Sequence, residues 1–190
     1  MICRKGNTQL NKYSEVVGLP IICIDDGKLI GLIRNIIINL ETRTVEAFIY
    51  EKSGLVNSRK VLFLKDVIRL GKDAVIIQND NCTISWKEAG KRLALKNENN
   101  LTGLRVFSRS GKEMGVVKDI LFDPETGLIE GVELSDSLFN DLINGRSILP
   151  LFGKVEFGED IILVDNEAVE EITNTGGGIR NKFFNDKMLT

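Results

Sequence analysis

The chain predicts an all-β fold of two small barrels in tandem. A duplication, many short strand-like runs parted by glycine turns, and the lack of a long amphipathic helix in either copy carry that prediction. Asp26–Tyr50, DGKLIGLIRNIIINLETRTVEAFIY, returns 84 residues later as Ser110–Leu134, SGKEMGVVKDILFDPETGLIEGVEL. Gly27 falls on Gly111, Lys28 on Lys112, Gly31 on Gly115, Ile36 on Ile120 and Thr42 on Thr126. Val61–Gln78 returns as Ile148–Asp165 at a shift of 87, with Gly71 on Gly158 and Asp73 on Asp160. An insertion between the blocks accounts for the change in shift. Two long blocks repeated in the same order read as homologous units, roughly residues 8–82 and 98–167. Closing each sheet on itself removes the exposed edges that a unit of about 75 residues otherwise covers poorly.

In the first unit, Leu19–Ile24 is a short polar-to-apolar run that ends at a glycine turn. Gly31–Asn39 is rich in Ile and Leu, and Thr44–Tyr50 alternates Val45, Ala47 and Ile49 with Glu46 and Phe48, so both are expected strands. Lys60–Phe63, Ile68–Leu70 and Ala74–Ile77 are expected to follow, with a helical turn around Leu64–Val67. Trp86–Asn100 divides the units, and its Trp86, Ala89 and Leu93 share a helical face, which predicts a short linker helix weakened by Gly90. In the second unit the expected strands are Leu104–Ser108, Gly115–Asp123, Leu128–Leu134, Ser147–Pro150, Val155–Phe157 and Ile161–Val164. Leu138, Leu142 and Ile143 have helical spacing and predict a short helix before Gly145. The expected boundaries are 1–82 for the first domain, 83–100 for the linker, 101–167 for the second domain and 168–190 for the tail. Gly176–Gly178 should make that tail flexible, while Ile179, Phe183, Phe184, Met188 and Leu189 favour docking onto the chain or within an oligomer.

Composition narrows the chemistry. Lys and Arg number 25 against 27 Asp and Glu, so no global positive field draws in nucleic acid or anionic lipid. The chain has no His, which removes the commonest neutral-pH base and the usual mixed zinc sites. Cys3, Cys23 and Cys82 form no CxxC pair, which favours a reducing, cytoplasmic setting. The start MICRKGNTQL lacks a signal-peptide core, and no run approaches the roughly 18 apolar residues of a membrane span.

GKEMG at 111–115 lacks the length, the Lys-Ser/Thr ending and the following helix of a phosphate loop. It reads as a tight turn, with Gly111 (and Gly27) free to take positive φ and Gly115 (and Gly31) admitting close packing. DPETG lacks the ligand succession of a calcium loop. It reads instead as a turn in which Asp123 accepts local backbone bonds, Pro124 fixes φ and Gly127 is left-handed. Cys23 and Cys82 lie among apolar residues and read as core. Arg105, Arg109, Lys112 and Lys118 are the candidate anion or RNA contacts, although acids are interspersed among them. An enzyme would need an enclosed polar pocket shared by the units, using Asp119 or Cys82, and no spacing supports one. No catalytic residue, metal or cofactor is expected.

Both units resemble the PRC-barrel domain, whose signature GKxxGxVxDxxxDxxTGxVxG meets Gly111, Lys112, Gly115, Val117, Asp119, Asp123, Thr126, Gly127, Ile129 and Gly131. The first unit keeps Gly27, Lys28, Gly31, Ile33, Asn35, Asn39, Thr42 and Val45 but departs at Arg43 and Ala47. The resemblance is to the cytoplasmic barrel of the photosynthetic reaction-centre H subunit, the C-terminal barrel of the ribosome-maturation protein RimM, and bacterial proteins with two such barrels. It implies a docking barrel with no catalytic residues. The leading expectation is therefore a non-enzymatic adaptor for a protein partner, which should present an exposed apolar patch with a polar rim. The alternatives are an RNA- or ribonucleoprotein-associated factor and a small-ligand binding protein; self-association into a homo-oligomer is compatible with each.

Overall fold

A computed structural model describes residues 10–52, 59–93, 100–135, 147–151, 154–158 and 160–166. The chain divides into two compact units, residues 1–100 with 122–128 and residues 101–121 with 129–190. The expected helix before Gly145 and the expected tail, 168–190, lie outside the described residues.

The first unit opens with β1 (Asn11–Lys12) and the single-turn helix α1 (Tyr13–Val16). The strands β2 (Pro20–Cys23), β3 (Leu29–Asn39), β4 (Thr44–Lys52), β5 (Arg59–Phe63), β6 (Val67–Leu70), β7 (Val75–Ile77) and β8 (Thr83–Ser85) follow. They make one sheet in the order β6-β7-β2-β3-β4-β5-β8. All neighbours are antiparallel except β2 and β7, which run parallel with Ile21 opposite Val75. The inner face is the core: Ile21, Ile33, Ile36, Phe48, Tyr50 and Leu62 are essentially inaccessible to solvent. A bulge between Ile33 and Asn35 turns the Asn35 side chain back onto the strand, where its Oδ1 accepts the Ile36 N–H at 2.9 Å and the Tyr13 hydroxyl at 3.1 Å.

The sheet's outer face is also buried along β3, β4 and β5. The helix α2 (Trp86–Arg92) lies there, with Ala89 packed on Ile37, Ala47, Ile49 and Val61, flanked by Phe63, Ile84, Trp86 and Leu93. Ser85 starts the helix by accepting the Glu88 N–H at 3.2 Å on its Oγ. The short linker helix is thus present, and it is a covering layer of the first sheet. Thr83–Ser85, set apart as linker in the sequence, is the sheet's last strand, paired with β5. Three residues are too few for period-2 alternation to mark a strand.

The second unit contains β9 (Arg105–Ser108), β10 (Glu113–Phe122), β11 (Ile129–Ser135), β12 (Ser147–Pro150), β13 (Val155–Phe157) and β14 (Ile161–Val164). Their order is β12-β11-β10-β9-β14-β13, with β9 and β14 parallel. That is the order β5-β4-β3-β2-β7-β6 of the first unit, so the repeated sequence blocks build repeated sheets, and the all-β tandem fold stands.

The signature turns show why the repeat is spelled as it is. Gly27 and Gly111 take φ 65° and 83°, a region costly for any residue with a Cβ. Asn39 accepts the N–H groups of Glu41 and Thr42 at 3.0 and 3.1 Å; Asp123 does the same for Glu125 and Thr126, at 2.8 Å each. Arg43 and Gly127, four residues after them, share a left-handed backbone (φ 56° and 76°). Pro124 sits between the accepting Asp123 and Glu125. A Cβ on Gly31 would lie 2.2 Å from the Glu51 carbonyl oxygen and 2.6 Å from the Tyr50 ring, so close strand approach excludes a side chain there. Gly115, its counterpart, sits at a bulge with φ 132°.

Candidate docking face

Cα partners in a sheet point their side chains to the same side. Pro20 is opposite Leu32; Ile22 is opposite both Leu29 and Ile76; Ile76 is opposite Arg69. These residues lie on the outer face, beyond the reach of α2's contacts. Leu29 is 51% exposed, Leu32 37%, and Ile24, just past the end of β2, 55%. Pro20, Ile22 and Ile76 are half-buried between them. The result is a continuous apolar strip across β3, β2 and β7 with a charged margin. Arg34 pairs with Glu51 at 2.9 Å and Lys28 with Asp26 at 2.7 Å, while Asp25 holds the side chains of Gln78 and Asn79. The hydrogen bond from Lys28 holds the Asp26 carboxyl below its ordinary range.

The same positions in the second unit carry charge. Arg105 opposite Val116 replaces Pro20 opposite Leu32, and Glu113 opposite Phe107 replaces Leu29 opposite Ile22. Leu163 opposite Glu156 replaces Ile76 opposite Arg69, and Arg109 stands at the end of β9 as Ile24 stands at the end of β2. Arg105 grips Glu113 through Nε and Nη2 at 2.9 and 2.8 Å, with its guanidinium 4.9 Å from the Phe107 ring centre. Arg109 reaches Glu156 at 2.7 Å and Asp165 at 2.8 Å. These bonds draw the carboxyls of Glu113 and Glu156 below their ordinary range.

The expected anion contacts therefore divide. Arg105 and Arg109 share one face, but carboxylates neutralise both. Lys112 lies in the turn, where its backbone N–H donates to the Ser108 Oγ at 3.0 Å, and Lys118 is exposed on β10. The structure does not gather the four into one uncompensated cationic patch.

A second polar cluster in the first unit ties its last strand to the core. The buried Tyr50 hydroxyl meets Thr83 Oγ1 at 3.0 Å, and Lys52 and Lys60 reach the Asp80 carboxylate at 3.2 and 3.3 Å. Burial opposes the charge on Asp80, but hydrogen bonds from Thr83, Lys52 and Lys60 outweigh it and lower its pKa. Burial raises the Tyr50 phenol, so it stays a donor at any physiological pH. Burial, then the charges of Asp26 and Asp80, also raises the Cys23 thiol. That disfavours the thiolate form. Cys82 is half-buried and free, and Asp119 is buried, with its Oδ1 accepting the Ile120 N–H at 2.9 Å as Asn35 does in the first unit. These arrangements hold strands in place. Among the described residues, no group of three or more Cys, Asp or Glu is placed to hold a metal ion.

Sequence reasoning did not single out Ile24, Leu29 or Leu32. The signal was present in the repeat itself, where Leu29 aligns with Glu113: an exposed position apolar in one copy and charged in the other marks a surface with a different task.

A search of curated proteins finds no match to the chain. The family model of the PRC-barrel domain matches it twice, over residues 9–81 and 97–170. These two matches take in most of the chain and one repeated sheet each, and the chain belongs to the PRC-barrel domain family, with two of its barrels in tandem.

Proposed function

We propose that this protein is an adaptor that binds a protein partner on the outer face of its first barrel. PRC-barrels are generally protein-interaction modules and not catalysts. The observation that carries the reading is the apolar strip of Ile24, Leu29 and Leu32, left open beside the half of the face that α2 covers. An exposed apolar patch with a polar margin is a common mark of a protein interface. Two free thiols, Cys23 and Cys82, suit a reducing cytoplasm. No helix among the described residues is long and apolar enough to cross a membrane. Association with RNA draws less support, because Arg105 and Arg109 are already neutralised by carboxylates.

The test is capture of partners by photo-crosslinking from position 29 or 32, compared with position 116 on the second barrel. Crosslinks should form at the first two, and the one from position 32 should be lost in the double variant Ile24→Arg, Leu29→Glu, which imports the second barrel's charges. Crosslinks only from position 116, or retained by the double variant, would overturn the reading. A crosslink to a second copy of the chain identifies the partner as a homo-oligomer.

A further inference from the structure

The first sheet ends at β6, and β6 forms one wall of an open groove of about 930 Å³. We propose that this groove takes an extended acidic segment of a partner protein as an added strand on β6, a site separate from the apolar strip described above.

Three observations converge on that occupant. A terminal strand presents one row of backbone N–H and C=O groups with no neighbour to pair with, and no described strand pairs with β6 other than β7. All four residues of β6 line the groove, which brings a chain lying in it close to that row, interrupted by a bulge between Val67 and Arg69. Lys65, Arg69 and Lys72 then place a cation before, within and after the strand. None of these three has a carboxylate partner among the described residues, unlike Arg105 and Arg109 in the second unit. Lys65 is positioned by the Phe63 ring, 5.4 Å from its centre.

The groove also fixes what the added strand looks like. Leu64 and Ile68, the latter 54% exposed, give it apolar contacts, while the cations ask for carboxylates. Glu15 and Glu125 also line the groove and repel carboxylates, so the acidic side chains of the added strand must lie on the side of Lys65, Arg69 and Lys72. A strand of about five residues spans roughly 17 Å. A sequence alternating acidic and β-branched residues satisfies the ladder, the apolar contacts and the cations together. A nucleic acid strand would satisfy only the cations.

The probe is an octapeptide alternating Glu and Val, titrated into the full chain at low salt, with binding followed by anisotropy and by amide exchange over residues 67–72. It should bind and slow exchange there. A Lys-Val octapeptide, and the Glu-Val peptide with a central Pro that breaks the ladder, should each bind at least about tenfold more weakly. The charge-reversed variant Arg69→Glu, Lys72→Glu should lose affinity for the Glu-Val peptide and gain it for the Lys-Val peptide, a reciprocal change that misfolding would not produce. Ile24→Arg, Leu29→Glu should leave peptide binding unchanged, so the two proposals fail separately. Equal binding of both charged peptides, tolerance of the central Pro, binding of a single-stranded oligonucleotide in preference to the peptide, or no peptide binding would each overturn the inference.

Discussion

The outer faces of the two sheets share a strand order and a register, yet one is apolar where the other is laced with ion pairs. Pro20, Ile24 and Leu29 stand where Arg105, Arg109 and Glu113 stand in the second unit. The inner faces diverge far less: Ile33 and Val117, Ile36 and Ile120, Phe48 and Val132 are all buried apolar pairs, although the buried Cys23 is matched by the buried Ser108. A closed core must exclude water whatever the protein does, whereas an outer face is held only by what covers it. After duplication the interior kept most of its apolar chemistry, with Glu133 at the position of Ile49 an exception, and the exposed positions separated into a surface suited to contact and a surface suited to water.

The largest expected effect comes from disturbing the covered half of the first face. Ala89→Glu would drive a carboxylate onto Ile37, Ala47, Ile49 and Val61. We expect a loss of about 3–4 kcal/mol from the first unit, measured by urea unfolding. A loss no larger than that of a surface substitution would show that α2 does not cover the face in solution, and the contrast between covered and open halves would go with it. Gly31→Ala should come next, at about 2–3 kcal/mol, because its Cβ collides with the Glu51 carbonyl and the Tyr50 ring. A neutral result would mean that β3 and β4 can separate there, which would loosen the frame on which Leu29 and Leu32 are displayed. The smallest effect belongs to the second face. A double-mutant cycle on Arg105→Ala and Glu113→Ala should give a small coupling, no larger than the effect of an ordinary surface substitution, that shrinks in high salt. A coupling several times larger would make that face a structural clamp and not merely a solvated surface.

Much of this was legible in the sequence because it repeats. The duplication located both sheets and all the paired strands of the second unit, and Asn39, Asp123 and Gly27 announced their turns through residue chemistry that needs no long-range context. The outer faces were harder to read. Whether Leu29 is exposed depends on where α2 lies, and Ala89 reveals only that the helix has an apolar side, not which half of the sheet receives it. Arg105 and Arg109 suggested an anion site because their acceptors are not all their neighbours in sequence: Glu113 is eight residues from Arg105, but Glu156 and Asp165 approach Arg109 only through the β9–β14–β13 arrangement. Thr83–Ser85 escaped because a three-residue strand acquires its identity from its partner, β5.

The parallel pairing of β2 with β7, and of β9 with β14, bears on how the chain folds without crossed wires. Ile21 must wait for Val75 to be synthesised before its sheet can close, several seconds at translation rates of about 5–20 residues per second. Duplicated units run the added hazard that the closing strand of one will be taken by the other. Here the two closing segments are labelled differently: β13 and β14 arrive with Glu156 and Asp165, which Arg109 receives and Ile24 cannot. Inserted beside β2, they would leave these carboxylates against apolar side chains, while β7 would bring β9 no anion for Arg109. The same charges that keep the second face wet therefore also distinguish the closing segments of two halves that share one strand order.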